Sequence, residues 1–125
     1  MVRTLLYLHA LHPACVISTV DPDAPTPQDP NMAQIRHFLA GNFINEDGRL
    51  VNNTPAVSEF KQPTPPAGSD AHRYIFLLWR QSPEFARQTL INSTTPISLF
   101  NISQFAAAVD LGEPIAGTFM LVAPA

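Results

Sequence analysis

Apolar positions in this chain fall in short runs with the two-residue period of strands, broken by proline-rich turns. Val16-Ile17-Ser18-Thr19-Val20 is β-branched and apolar and reads as a buried strand. Over 36–43, His37, Leu39, Gly41 and Phe43 share one face and Arg36, Phe38, Ala40 and Asn42 the other. Both faces are partly apolar, as in a strand covered on both sides. Residues 74–80 are apolar at nearly every position and predict a central, buried strand. A last strand is predicted over 115–122.

Helical signals are few. Residues 101–112 open on an Asn or Ser cap, continue through three alanines and stop at Gly112, with Pro114 just beyond. The 82–92 stretch has weak helical periodicity through Phe85 and Leu90 and reads as loop or helix. Asp29-Pro30 is placed to cap one helical turn over 31–34. Asp47-Gly48 marks a turn, and 51–69 is a polar, proline-rich surface excursion of the kind that is functional or disordered.

Composition narrows this further. A chain of 125 residues, 46% of them hydrophobic, is one domain able to bury a core. Thirteen prolines are about twice the ordinary ~5% and are spread along the chain. They argue for many short, mostly β elements joined by stiff turns. A net charge of −3 with only seven Lys plus Arg argues against a surface that tracks nucleic-acid phosphates. Cys15 has no intramolecular partner and reads as a buried small hydrophobe. No run approaches the ~18 apolar residues of a membrane span. The opening 1–11 run has one early cation and apolar residues like a signal peptide, but His9 and His12 interrupt it. The protein is therefore read as cytoplasmic, with a secreted form if that run acts as a leader; only then would Asn52, Asn92 and Asn101 matter as glycosylation sites.

The candidate chemistry is Asp21, Asp23, His37, His72 and Tyr74. In Asp21-Pro22-Asp23-Ala24-Pro25 two prolines stiffen a bend that carries two carboxylates at a strand end. Histidines and a phenol can donate to an anion; aspartates behind them would orient the rings and favour their charged form. Plainer readings stand beside this one. The aspartates can be a turn-capping pair, the histidines core or surface residues, Tyr74 and Trp79 core aromatics, and Arg73 a structural ion-pair partner. A metal set of Asp21, Asp23, His37 and His72 has suitable ligand types. A phosphoester hydrolase using the same groups as acid and base is a further alternative, although no nucleophile elbow or HExxH motif is present.

Two motifs in order add a family. Asp21-Pro22-Asp23-Ala24-Pro25 followed after eleven residues by His37-Phe38-Leu39, then Pro65-Pro66-Ala67-Gly68 and, three residues on, His72-Arg73-Tyr74, resembles the phosphatidylethanolamine-binding protein family. The 100–105 and 112–119 segments look like the family's end, particularly its fungal branch. The resemblance implies a β-sandwich on a large antiparallel sheet, with one or two short peripheral helices. It implies a pocket for phosphate or phosphoethanolamine head groups, with Asp21, Asp23, His37, His72 and Tyr74 as ligand-binding residues. Pro25, Pro65 and Pro66 would shape that pocket, Pro25 and Pro66 through cis peptide bonds. Members act by binding, with no cofactor, metal or catalytic residue implied. An alternative role is regulation of a serine carboxypeptidase or a kinase through surface loops.

There are departures too: Ile35, Arg36, Thr64 and Thr26 replace residues common in the family and are expected to alter the pocket. Residues 1–14 read as an atypical extension in place of the family's first strands, and 15–125 as the family-like domain. Such an arrangement is expected to expose sheet edge, lower stability and favour self-association.

Overall fold

The computed structural model describes residues 13–125; the 1–11 run and most of the 1–14 extension lie outside the described residues. Five strands form one antiparallel sheet: β1 (Cys15–Asp21), β2 (Ile35–Glu46), β3 (Arg49–Val51), β4 (His72–Arg80) and β5 (Ala116–Val122), in the order β3-β2-β1-β4-β5. Two short helices, α1 (Pro83–Arg87) and α2 (Ile102–Ala108), lie between β4 and β5 in the chain. Among the described residues no helix is long and apolar enough to cross a membrane.

The core follows from strand alternation. Val16 and Val20 of β1, Leu39 of β2 and Trp79 of β4 pack with Phe85 of α1 and with Phe105, Ala106 and Leu111 in and after α2. Ser18, buried on the same face, accepts a hydrogen bond from the Trp79 indole at 2.9 Å. The opposite face carries Ile17, Phe76 and Leu78, and there the sheet is less covered. Cys15 begins β1 only partly buried, with its thiol pushed up by that burial.

Local chemistry explains the joints. Asp47 and Gly48 both take positive φ, 54° and 84°, which closes the β2–β3 hairpin with a two-residue turn. Ser82 caps α1, accepting from the Phe85 amide, with Pro83 at the first helical position. Asn101 caps α2 by accepting from the Gln104 amide at 2.9 Å.

Four expectations change. α2 ends at Ala108, short of Gly112, because Asp110 takes the left-handed conformation at φ 56° and Leu111 N–H bonds back to the Ala106 carbonyl. These bonds close the helix without needing glycine. The 82–92 stretch does hold a helix, α1. Residues 31–34 form no helix; Gln34 exchanges backbone bonds with Phe100, which pulls that segment into extended structure. β4 is interior to the sheet, yet Ile75 to Leu78 are only partly buried, since its neighbour β5 is exposed along nearly its whole length.

Candidate functional site

Because β1 runs antiparallel to both β2 and β4, the end of β1 meets the starts of the other two. Asp21, Ile35, His37, His72 and Tyr74 therefore converge from segments far apart in the chain. They line a cavity of about 280 Å³, whose remaining wall comes from Lys61, Gln62, Thr64, Pro65 and Pro66 of the 52–71 excursion and from Ala24 and Ile97.

Each side chain has a local reason for its aim. Thr19 pairs with Phe38 and Val20 with Arg36, so His37 is the extra residue of a β-bulge. Bulges re-aim side chains, and this one turns His37 into the cavity. Its Nδ1 lies 2.8 Å from the Lys61 carbonyl, which can only accept, so Nδ1 carries the proton. The Lys61 amide in turn donates to the His37 carbonyl at 2.8 Å. Among the described residues Nε2 of His37 has no hydrogen-bond partner. The ring stands edge-on to Tyr74, with centroids 5.0 Å apart.

Asp21 ends β1 buried. Its Oδ1 accepts from the Asp23 amide at 2.8 Å, a turn held by its own side chain, and its Oδ2 lies 2.7 Å from His72 Nδ1. The other His72 nitrogen sits 3.0 Å from the Pro25 carbonyl and 2.9 Å from Ser69 Oγ, whose hydroxyl donates to the Asp70 carbonyl. Every neighbour of the ring is thus an acceptor, and both nitrogens are placed to donate. His72 lines the cavity but spends its donors on the protein. Tyr74 differs: it is 1% exposed, and among the described residues its hydroxyl has no partner in good hydrogen-bond geometry, the Asp21 carboxylate being the acceptor near enough to act on it. Burial first, then the charge of Asp21 and hydrogen bonding toward its carboxylate, push its phenol up, so the hydroxyl keeps its proton.

Asp23 is drawn away from the cavity. Arg73 donates to both its oxygens, at 2.9 and 3.0 Å, and the Arg73 amide adds a third bond at 2.8 Å. Hydrogen bonds from Arg73 hold the Asp23 carboxyl below the usual carboxylate range, with burial opposing them. A carboxyl depressed in the fold contributes stability above the unfolded pKa of about 3.9 and loses it as pH falls through the folded value. Arg73 is 52% exposed, so water screens the pair and its share is on the order of 1 kcal/mol or less. We expect the melting temperature to begin falling below about pH 4, with a shallower fall in Arg73→Met. Identical slopes in the two proteins would contradict that role for Arg73.

Pro25 enters the site through its carbonyl, and the Ala24–Pro25 bond is cis. The expected cis bond at Pro66 is absent; Pro65–Pro66 keeps the trans form that X–Pro bonds ordinarily favour. Arg36 does not reach the cavity. It is 1% exposed beneath Phe100, donating to the Thr95 and Pro96 carbonyls. Among the described residues no three metal-ligating side chains cluster. Sequence reasoning missed Ser69 as the partner of His72 and Lys61 as the backbone support of His37. Lys61, the sole lysine of an acidic chain, was the one available signal.

An antiparallel sheet that gathers an Asp–His pair, a second histidine and a buried tyrosine at one end defines the class. The family model described as phosphatidylethanolamine-binding protein matches residues 9–120, and the chain belongs to that family. Protein FLOWERING LOCUS T of Arabidopsis thaliana is 33% identical over 100 residues, covering 80% of this chain and 53% of that protein. CEN-like protein 4 of Nicotiana tabacum is 29% identical over 100 residues, with the same coverage. The CG7054 solution structure is similar at a TM-score of 0.64 and 34% identity, over 87% of this chain and 62% of that one. The carboxypeptidase Y inhibitor, crystallised with its cognate proteinase, is similar in fold at a TM-score of 0.67 and 19% identity, over 90% and 60%. The chain spans about half the length of the curated relatives it matches.

Proposed function

We propose that the protein is a non-catalytic binding module whose cavity takes a phosphate or phosphoethanolamine head group. The observation that carries this reading is the Tyr74 hydroxyl, a buried donor that has no well-aligned partner among the described residues and lines a cavity large enough for such a group. An unsatisfied buried hydroxyl costs about 1–3 kcal/mol, and an oxyanion supplies the acceptor it lacks. His37 Nε2 is the second free donor when the ring is charged, and Lys61, a residue of the cavity lining, brings a positive charge to its neighbourhood. Asp21 keeps His72 in place and gives the ammonium of phosphoethanolamine a negative neighbour. His72, Pro25, Pro65 and Pro66 then shape the cavity, while Asp23 acts through the bend.

Calorimetric titration at about pH 6, below the ordinary histidine value of about 6.5, tests it. Phosphoethanolamine is expected to bind wild type, and Tyr74→Phe is expected to weaken binding by roughly tenfold, the loss of about one hydrogen bond to a charged group. Equal affinity in the two proteins would remove Tyr74 from the site. A second reading, regulation of a serine carboxypeptidase or a kinase through surface loops, has support in the fold shared with the carboxypeptidase Y inhibitor. Inhibition of such a proteinase that is unchanged by Tyr74→Phe would favour it.

A further inference from the structure

The 95–102 segment reaches the site as a strap tied twice to the start of β2. At one tie Gln34 exchanges backbone bonds with Phe100, and its Oε1 accepts from the Ile102 amide that opens α2. At the other the Arg36 amide donates to the Ile97 carbonyl at 2.8 Å, and the Arg36 guanidinium donates to the Thr95 carbonyl at 2.8 Å and the Pro96 carbonyl at 3.2 Å. The same guanidinium lies 5.1 Å from the centre of the Phe100 ring, a cation–π distance. Ile97, the residue on which the Arg36 tie ends, lines the cavity. Arg36 is a costly side chain for such a tie. It is 1% exposed, among the described residues no carboxylate pairs with it, and its Nε has no hydrogen-bond partner. A charge buried without a counter-ion is expensive, and an apolar residue of similar volume is often as stable in its place. What an apolar residue lacks is a planar fork that fixes two consecutive carbonyls at once.

We propose that Arg36 is a positioning residue of the binding site: its guanidinium sets the strap so that Ile97 walls the cavity that His37 and Tyr74 line. The inference rests on the head-group reading above and deepens it. An apolar wall keeps water from the two donors, and hydrogen bonds to an oxyanion strengthen as their surroundings become drier. Arg36 and His37 are neighbours on β2, so one short stretch of strand supplies both a donor to the cavity and the tie that holds its wall. Lysine at position 36 would replace the fork with a point charge on a flexible stem. Fork geometry, not charge, is what the strap uses.

Arg36→Met keeps the stem and removes the fork. The lost bonds are offset by removal of a buried charge, so its thermal melt is expected to stay close to wild type. Its calorimetric affinity for phosphoethanolamine at about pH 6 is expected to fall about fivefold. Ile97→Ala should weaken binding to a similar degree, and the double variant no further than the weaker of the two, since both changes remove the same wall. Equal affinity in Arg36→Met and wild type overturns the proposal, and so do losses that add in the double variant. Arg36→Lys is expected to bind like Arg36→Met; wild-type affinity there would place the effect in the charge and contradict the fork. If Arg36→Met does not fold, Arg36→Lys takes its place in the cycle. The wall is also read without ligand. Nuclear Overhauser contacts between the Ile97 methyls and other lining side chains, such as Ile35, are expected in wild type and lost in Arg36→Met. A wild type that binds no phosphoethanolamine defeats the head-group reading, whereas contacts retained in Arg36→Met defeat the role of Arg36.

Discussion

Asp21→Ala is expected to remove about 3–5 kcal/mol of stability, the usual result of breaking one side of a buried ion pair, and to abolish phosphoethanolamine binding. The carboxylate is 2% exposed and does two jobs. It closes the bend by accepting from the Asp23 amide, and it takes the Nδ1 proton of His72. Alanine leaves Nδ1 of the buried His72 ring without its acceptor and frees the bend that delivers the Pro25 carbonyl to the same ring. Asp21→Asn keeps a side-chain oxygen for the bend and removes the charge. Its loss should be nearer the ~1–3 kcal/mol of an unsatisfied polar group. Urea denaturation of both variants checks the ordering; a loss below about 1 kcal/mol in Asp21→Ala would mean that the pair behaves as a solvated surface bridge.

The second large effect lies in the core. Trp79→Ala should destabilise by about 3–5 kcal/mol, the range for truncating a buried aromatic. Trp79 is 4% exposed, on the face that α1 and α2 cover, and among the described residues it makes the only hydrogen bond to the buried Ser18 hydroxyl. Trp79→Phe separates volume from polarity. It keeps most of the ring but orphans Ser18, and about 1–3 kcal/mol is expected from that alone. A phenylalanine variant as stable as wild type would show that Ser18 finds another partner.

Strand existence was legible because β-branched and alternating segments need only local information. Residues 16–20, 36–43 and 74–80 all lie within observed strands. What periodicity could not show was who sits beside whom. β4 reads as a fully buried strand by its run of apolar residues, and only the tertiary arrangement reveals that β5 leaves it half covered. The helix ending at Ala108 instead of Gly112 has the same origin. Asp110 adopts a conformation that residue type alone assigns to glycine, held there by the bond from Leu111 to Ala106.

At the site, the convergence of Asp21, His37, His72 and Tyr74 was legible through two motifs, whereas their separate roles were not. Asp23 looks equivalent to Asp21 in the sequence, but its carboxylate meets Arg73 outside the cavity. His72 looks like a ligand donor and proves to be committed to Asp21, Pro25 and Ser69. His37 was expected to be oriented by an aspartate; it is oriented by a backbone carbonyl, Lys61, from a loop with no periodicity to read. Arg36 was expected to alter the pocket and lies buried on the other side of the strand, where the bulge at His37 sends it.

The central claim is that Tyr74 and His37 form the donor wall of an anion-binding cavity. Side-chain NMR of the histidine rings during titration with phosphoethanolamine tests it most directly. We predict saturable shifts of the His37 ring, smaller shifts at His72, and loss of the His37 response in Tyr74→Phe. Saturable binding that leaves both rings unmoved would contradict the site.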